Sequence, residues 1–293
     1  MLNLKQQHEK CLYPEVRIRT KTAMGSGTVI FCHETPGEEG MWDTYVLTNE
    51  HVVDSLISIE DRWNNVLKRE VKEDALGHPD VEVLTFAYVS RVIGSTSYQA
   101  DIVAYAKEED MALLRIRAPQ KFDYVAELYP EAEIKKLISF APLWAIGCGL
   151  GGPPAITAGY LSAFNIDIEN REFWLITAPI IFGNSGGATF LQETGQFIGI
   201  PARVSVKQIG WSVDVVTHLG FIIPVSRVYQ FLRDQIWDFI IDPARTAAEC
   251  EKEREQKRKR DLLGRLYEDD EDNKSPEGNI NPRGAGGRHR YYE

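Results

Sequence analysis

The strongest constraint on the fold is a long succession of short apolar runs between about Val16 and Val225. Runs such as "DTYVLTNEHVV", "ADIVAYA" and "QFIGIPARVSV" are rich in β-branched residues and alternate with a period close to two. This period is typical of strands that bury one face. Turn-forming residues separate the runs, and many short strands divided in this way indicate an all-β sandwich or barrel.

Two segments depart from this pattern. The stretch "LISIEDRWNNVLKREVKEDAL" is dense in charge, and it predicts a polar, partly helical insertion near 58–80. Later, "VSRVYQFLRDQIWDFI" changes to the helical period. This change predicts a helix with one apolar face, which is formed by Val228, Phe231, Leu232, Trp237 and Ile240.

Changes in composition predict four regions along the chain. Residues 1–14 form a short polar extension, and residues 15–242 form the globular domain. Residues 243–268 are charge-dense and predict a solvated helix, because the "KRKR" run is flanked by acidic residues. Residues 269–293 are rich in Gly and Pro and predict a disordered tail. A protein partner is expected to bind through the charged C-terminal tail after residue 242.

Charge and composition limit the classes of partner. The 293 residues carry a net charge of −10, which disfavours nucleic acid. The polar opening "MLNLKQQHEK" and the lack of a long apolar run predict an intracellular, cytoplasmic protein without a signal peptide or a membrane span. The four cysteines show no metal-like spacing, so neither a metal nor another cofactor is expected. The sequence does not fix the oligomeric state.

One serine stands among three glycines in "FGNSGGATF", residues 182–190. Asn-Ser-Gly-Gly suits a tight turn, which is the simplest interpretation. The alternative is that Ser185 is presented to a substrate carbonyl, with bare backbone N–H groups around it. The stretch alone does not decide between the two.

A serine hydroxyl needs a base, and the base needs an orienting group. His51 follows the apolar run "VLTNE", and Asp110 opens the apolar run "MALLRI". Taken alone, His51 is more typical of a structural histidine, and Asp110 is more typical of a turn or capping aspartate. Their order in the chain, His then Asp then Ser185, is the order used by chymotrypsin-type double β-barrels.

These segments together resemble the trypsin-like serine proteases, and most closely their HtrA-like branch without its PDZ domain. The resemblance covers roughly residues 20–235. It rests on "GSGTVI", "VLTNEHVV", "DMALLRI", "AIGCGLGGPPAITAGYLSA", "GNSGGATF", "GQFIGI" and "GFIIPVSRVYQFL" in the family's order. It implies a double six-stranded antiparallel β-barrel followed by a C-terminal helix and a charged tail.

The resemblance also implies roles for individual residues. His51 is expected to be the general base, Asp110 its orienting partner and Ser185 the nucleophile. The backbone N–H groups of Gly183 and Ser185 are expected to form the oxyanion hole. Phe182 stands where the family commonly has proline, which leaves open how the peptide between Phe182 and Gly183 is oriented.

A substrate pocket follows from the same resemblance. Pro179, six residues before Ser185, is expected at the base of the pocket that takes the P1 residue. No carboxylate stands there to pair with Lys or Arg, so a small or medium apolar P1 residue is expected. The expected walls are formed by Pro201, Ala202, Arg203, Gly220 and Phe221.

The predicted function is that of a serine endopeptidase that acts on polypeptides through an acyl-enzyme. The alternative is a protease fold used as a peptide-binding or scaffold module, with latent or no activity. An α/β-hydrolase is disfavoured although "GNSGG" fits G-x-S-x-G. That fold needs a helix directly after the serine, whereas "GATFLQETGQFIGI" is typical of a hairpin.

Overall fold

A computed structural model describes residues 2–64, 68–209 and 212–272. By its internal contacts the chain divides into two units, residues 1–251 and residues 252–293. The second unit contains most of helix α4 (Ala247–Asp272). All of the strands belong to the first unit.

The first half of the larger unit is a seven-stranded antiparallel sheet with the order β7-β6-β1-β2-β3-β9-β8. Strands β4 and β5 form a separate two-stranded antiparallel ribbon. The bounds of these strands are β1 (Glu15–Arg19), β2 (Met24–Glu34), β3 (Trp42–Thr48), β4 (Ile57–Asn64), β5 (Arg69–Leu76), β6 (Asp80–Ala87), β7 (Arg91–Gln99), β8 (Asp101–Ala106) and β9 (Met111–Ala118).

The second half is a closed antiparallel barrel of six strands with the order β10-β11-β12-β15-β14-β13. Closure removes the unpaired edges that an open sheet would leave. The barrel strands are β10 (Pro142–Gly147), β11 (Ala155–Ile168), β12 (Arg171–Ile176), β13 (Ala188–Leu191), β14 (Phe197–Ile209) and β15 (Ser212–Pro224).

Apolar residues that alternate along the strands form two apolar cores. Val16 and Ile18 of β1 are fully buried in the core of the first sheet. In the barrel, Phe190 of β13 and Phe197 of β14 are fully buried and meet edge to face at 6.1 Å. Bulky fully buried rings fill the interior of a small barrel and hold its strands in register.

Helices are short within the larger unit. The α-helices that lie wholly within it are α1 (Leu4–Gln7), which continues as a π-helical turn (His8–Leu12), then α2 (Glu50–Val53) and α3 (Val225–Asp234). The 3-10 helices are Asp54–Leu56, Glu131–Lys136, Gly149–Gly151 and Asp238–Ile240. The predicted C-terminal helix is shorter than expected, because Ile236 has a φ of +59° and interrupts it. Trp237 is buried beyond the end of the helix. No helix within the described residues is both long and apolar enough to cross a membrane.

The all-β, double-barrel fold class is confirmed, with a helix near the C-terminus. The second barrel has the six expected strands, and the first sheet has seven. The partly helical insertion is wrong, since β4 and β5 pair through eight consecutive positions from Ile57–Leu76 to Asn64–Arg69. Cross-strand pairs such as Asp61–Lys72 place opposite charges side by side, so a charged segment is compatible with a ribbon.

We expect Phe190→Ala to destabilise the larger unit by about 3–5 kcal/mol, because it leaves a cavity in a closed barrel. Urea unfolding followed by tryptophan fluorescence measures the change. Phe140→Ala is the matched control, since Phe140 is 84 % exposed and should cost little. Equal losses in the two variants would contradict the packing described for the barrel.

Candidate active site

His51 and Asp110 meet at the ends of two neighbouring elements of the first sheet. His51 lies in α2, directly after β3, and Asp110 lies directly before β9, the strand that pairs with β3. The Nδ1 atom of His51 lies 2.9 Å from both Oδ1 and Oδ2 of Asp110. A carboxylate is an acceptor, so Nδ1 carries the proton and Nε2 is left free of it in the neutral ring.

Further hydrogen bonds hold both the carboxylate and the main chain of Asp110 in place. Its Oδ1 atom also accepts the backbone N–H of His51 at 3.1 Å. The Asp110 carbonyl accepts the side-chain amide of the buried Asn49 at 2.8 Å. Asp110 itself is buried and has a φ of +54°, a conformation that aspartate tolerates better than most residues. The pair is therefore fixed at both the side chain and the main chain.

Opposing effects act on the His51 imidazole. Burial disfavours the charged ring, but the hydrogen bond and the charge of Asp110, aided by Asp54 and Glu50, outweigh that effect. The pKa of His51 is therefore raised above its ordinary value. Asp110 thus stabilises the protonated imidazolium ring of His51. A general base requires such stabilisation, because it carries a proton for part of the reaction.

Ser185 lies in a tight turn whose glycines are required by close contacts. A Cβ at Gly186, where φ is +84°, would lie 2.2 Å from the Ser26 carbonyl oxygen. A Cβ at Gly187 would lie 2.3 Å from the Ile146 carbonyl oxygen. The turn is also tied to β2, because the Ser26 N–H donates to the Ser185 carbonyl at 2.9 Å.

The peptide between Phe182 and Gly183 has a defined orientation. The Phe182 carbonyl accepts the N–H of Leu150 at 2.7 Å, and the Gly183 carbonyl accepts the Ser26 hydroxyl at 2.6 Å. In a trans peptide the C=O and the N–H point in opposite directions. The Gly183 N–H therefore points away from Leu150, and within the described residues it donates to no protein acceptor.

Gly183 adopts a φ of +94°, which L side chains rarely reach. A Cβ there would lie 2.7 Å from both the Cys148 carbonyl oxygen and the Leu150 nitrogen. Glycine is therefore required both by the backbone angle and by the space around it.

A cavity of about 330 Å³ brings His51 and Ser185 together. Three of the predicted pocket residues, Pro201, Ala202 and Arg203, also line it. The remaining lining residues are Ile180, Ile181, Phe182, Asn184 and Val204.

The other three predicted pocket residues lie elsewhere in the structure. Pro179 is exposed, and its carbonyl accepts the Thr157 hydroxyl at 2.7 Å. Phe221 turns toward Phe173, with ring centroids 6.3 Å apart. Gly220 lies behind the cavity wall, where an added Cβ would be 2.5 Å from the Cδ1 atom of Ile180.

Ile180 therefore stands where Pro179 was expected. Its side chain is 2 % exposed and fills the space that Gly220 leaves open. Successive residues of an extended segment face opposite sides, so an offset of one position exchanges an inward side chain for an outward one.

Arg203 is held at the rim of the cavity by two contacts. Its guanidinium pairs with Glu169 at 2.6 Å and lies over the Phe173 ring at 5.4 Å from the centroid. Glu169 belongs to the exposed turn between β11 and β12. The arrangement keeps the charged group of Arg203 at the edge of the cavity.

Sequence reasoning missed two residues that shape the site, Ser26 and Asn184. Ser26 bridges the site by donating to Gly183 and accepting the N–H of Cys148 at 2.7 Å. Asn184 accepts the Ile181 N–H through its side-chain oxygen at 3.0 Å. Both lie within recognised segments, "GSGTVI" and "GNSGG", but their partners are distant in sequence and only the fold reveals them.

Comparison with known proteins agrees with this architecture. Residues 25–200 match the family model described as the trypsin-like peptidase domain, and the chain belongs to that family. Among solved structures, the chain is similar to the HtrA-type protease AlgW, in a serine-to-alanine variant with a tripeptide. That match has a TM-score of 0.54 and 18 % identity, and it covers 83 % of this chain and 65 % of the solved chain. No curated protein matches the chain in sequence.

Replacing the carboxylate should change the titration of the histidine. We expect Asp110→Asn to lower the pKa of His51, because burial then opposes the charged ring without the main group that favours it. NMR titration of the histidine ring carbons measures this shift.

His33 serves as an internal control in the same spectra. Burial lowers its pKa despite the charge of Asp43, and it has no contact with Asp110 among the described residues. A pKa of His51 that stays unchanged or rises in Asp110→Asn would contradict the coupling.

Proposed function

We propose that the protein is a serine endopeptidase that cleaves peptide bonds through an acyl-enzyme intermediate. The observation that carries the proposal is the contact of His51 with both oxygens of Asp110, beside a cavity that Ser185 also lines. Membership in the trypsin-like peptidase domain family supports the same reaction class.

The roles of the three residues follow from the tautomer. The Nδ1 proton of His51 is committed to Asp110, so Nε2 accepts the Ser185 proton as Oγ attacks the substrate carbonyl. The same nitrogen then returns the proton to the leaving amine. Asp110 holds the ring and stabilises the imidazolium that forms. Water repeats the sequence to release the acyl group.

The N–H groups of Gly183 and Ser185 are proposed to bind the oxyanion. The hydrogen bond from Leu150 to the Phe182 carbonyl supports this role, because it turns the Gly183 N–H away from the loop. Phe182, rather than proline, is compatible with this orientation. One such donor is worth roughly 2.7–4 kcal/mol in the barrier.

The proposed P1 preference is for small or medium apolar residues. Ile180 occupies the interior of the cavity, and Ala202 and Val204 add apolar surface to its wall. Within the described lining no carboxylate is available to pair with a basic P1 side chain. Residues 15–242 are proposed as the peptidase domain, and the charged segment after it as a contact for a protein partner.

The competing proposal is a peptide-binding or scaffold module with latent or no activity. Both proposals use the same cavity, so they differ only in turnover. A variant that retains the cavity but lacks the nucleophile separates them.

We expect Ser185→Ala to lower the turnover of an unfolded polypeptide by about 10⁶-fold and to abolish the fluorophosphonate label on the peptide that contains residue 185. Peptide mass spectrometry locates the label on the parent protein. Ser162→Ala is the matched control, because Ser162 is exposed on β11 and outside the cavity. Equal turnover by Ser185→Ala and the parent would reject the endopeptidase proposal.

Truncation of Ile180 tests the P1 preference. We expect Ile180→Ala to enlarge the cavity and to shift cleavage toward larger apolar P1 residues. The shift should be about 10–200-fold in relative kcat/KM, since one methylene contributes roughly 1–3 kcal/mol. A peptide library measures the profile, and Ile138→Ala, at a side chain that is 69 % exposed, is the control. An unchanged P1 profile in Ile180→Ala would remove Ile180 from the pocket.

A further inference from the structure

A second serine and histidine contact each other outside the site described above. Ser90 lies in the turn between β6 and β7, where Tyr88 and Val89 have φ values of +48° and +70°. The Oγ atom of Ser90 lies 2.6 Å from Nε2 of His8. Positive φ at two bulky residues in succession is uncommon, and it holds an exposed serine against a buried imidazole.

The other ring nitrogen of His8 determines which atom donates in this hydrogen bond. The Nδ1 atom of His8 lies 2.7 Å from the Leu4 carbonyl oxygen. A carbonyl oxygen can only accept, so Nδ1 carries the proton. In the neutral ring Nε2 is then the acceptor, and the Ser90 hydroxyl donates to it. The hydroxyl is aimed at the basic nitrogen of a histidine whose tautomer is held by an acceptor, as in an activated nucleophile.

Both residues line a cavity of about 250 Å³. Its remaining walls are mostly apolar and come from Leu4, Leu12, Trp144, Ile146 and Ile156, with Gln7 and Cys11 beside them. None of these residues lines the cavity at Ser185. A hydroxyl and its base at the edge of a small apolar cavity fit an uncharged ligand with an electrophilic carbonyl and a short apolar chain.

We propose that Ser90 and His8 form a second acyl-transfer site, which accepts carboxylic esters with a small apolar acyl group. The Ser90 Oγ forms a bond to the ester carbonyl carbon while its proton passes to Nε2 of His8. The carbon–alkoxy bond then breaks, and the alcohol leaves with that proton. Water hydrolyses the acyl-serine through the same nitrogen, so that carboxylic acid and free Ser90 are restored.

Cys11 is the one other nucleophilic side chain in the described lining of this cavity. Burial, with the charge of Glu15, raises its pKa to about 12, so the reactive thiolate is scarce at neutral pH. The Ser90 hydroxyl is thus the favoured acyl acceptor.

The test uses the full chain carrying Ser185→Ala, so that the proposed peptidase site cannot contribute. We expect this protein to hydrolyse p-nitrophenyl butyrate and to carry a fluorophosphonate label on Ser90 by mass spectrometry. Adding Ser90→Ala should remove the label and lower the ester hydrolysis at least about tenfold. Adding His8→Gln, which keeps an acceptor but removes the base, should lower it by about 10²–10⁴-fold. Ser95→Ala is the matched control, since Ser95 is exposed on the neighbouring strand.

The outcomes distinguish an acyl-transfer role of Ser90 and His8 from a contact that only holds the N-terminal helix in place. No label on Ser90, a label on Cys11 instead, or ester hydrolysis that persists in Ser90→Ala would each overturn the proposal. If the contact only docks the N-terminal helix, Ser90→Ala and His8→Gln lower the melting temperature while the Ser185→Ala protein carries no label on Ser90, which also overturns the proposal. In the chain with Ser185 intact, Ser90→Ala should leave polypeptide cleavage unchanged, so the two sites can fail independently.

Discussion

The hydrogen bonds of Ser26 connect the two halves of the larger unit, and the site depends on them. Its hydroxyl donates to the Gly183 carbonyl and accepts the N–H of Cys148, while its own N–H donates to the Ser185 carbonyl. One residue of the first sheet thereby fixes the turn that carries Ser185 and the loop that follows β10. Since His51 and Asp110 come from the first sheet, their position relative to Ser185 follows from this connection.

Tight packing at this junction explains the glycines around Ser185. The turn lies so close to β2 and β10 that a Cβ at Gly186 or Gly187 would overlap backbone atoms at 2.2 and 2.3 Å. Backbone atoms cannot move aside as a flexible side chain can. The glycine-rich sequence is therefore required by the fold itself, whatever the chemistry, and the simple interpretation as a turn and the functional one are both compatible with it.

The sequence predicted best what depends on local alternation. Period-two runs predicted the strands. Of the three site residues that the family resemblance implied, His51 lies 2.9 Å from Asp110 and lines one cavity with Ser185. It was harder to predict which side chains face the cavity. Pro179 and Ile180 are adjacent, and only the path of the chain decides which one points into the cavity. The ribbon of β4 and β5 was missed because its cross-strand charge pairs depend on register, which a single segment does not contain. The contact of His8 with Ser90 joins residues 82 apart and has no local sequence signal.

A buried carboxyl shows how dry the junction is. Glu15, at the start of β1, is 1 % exposed, and its Oε1 atom accepts the Thr28 hydroxyl at 3.0 Å. Burial raises the pKa of Glu15 well above its ordinary value, against the hydrogen bonds from Thr28 and from the backbone of Ala188. Glu15 is thus connected to both β2 and β13 through the hydrogen bonds from Thr28 and from the backbone of Ala188. Where water is excluded, the interaction between two nearby charges is weakened less than it would be in bulk water. Asp110 is buried as well. Against the desolvation of the ring, its hydrogen bond and its charge raise the pKa of His51, whose side chain is 43 % exposed.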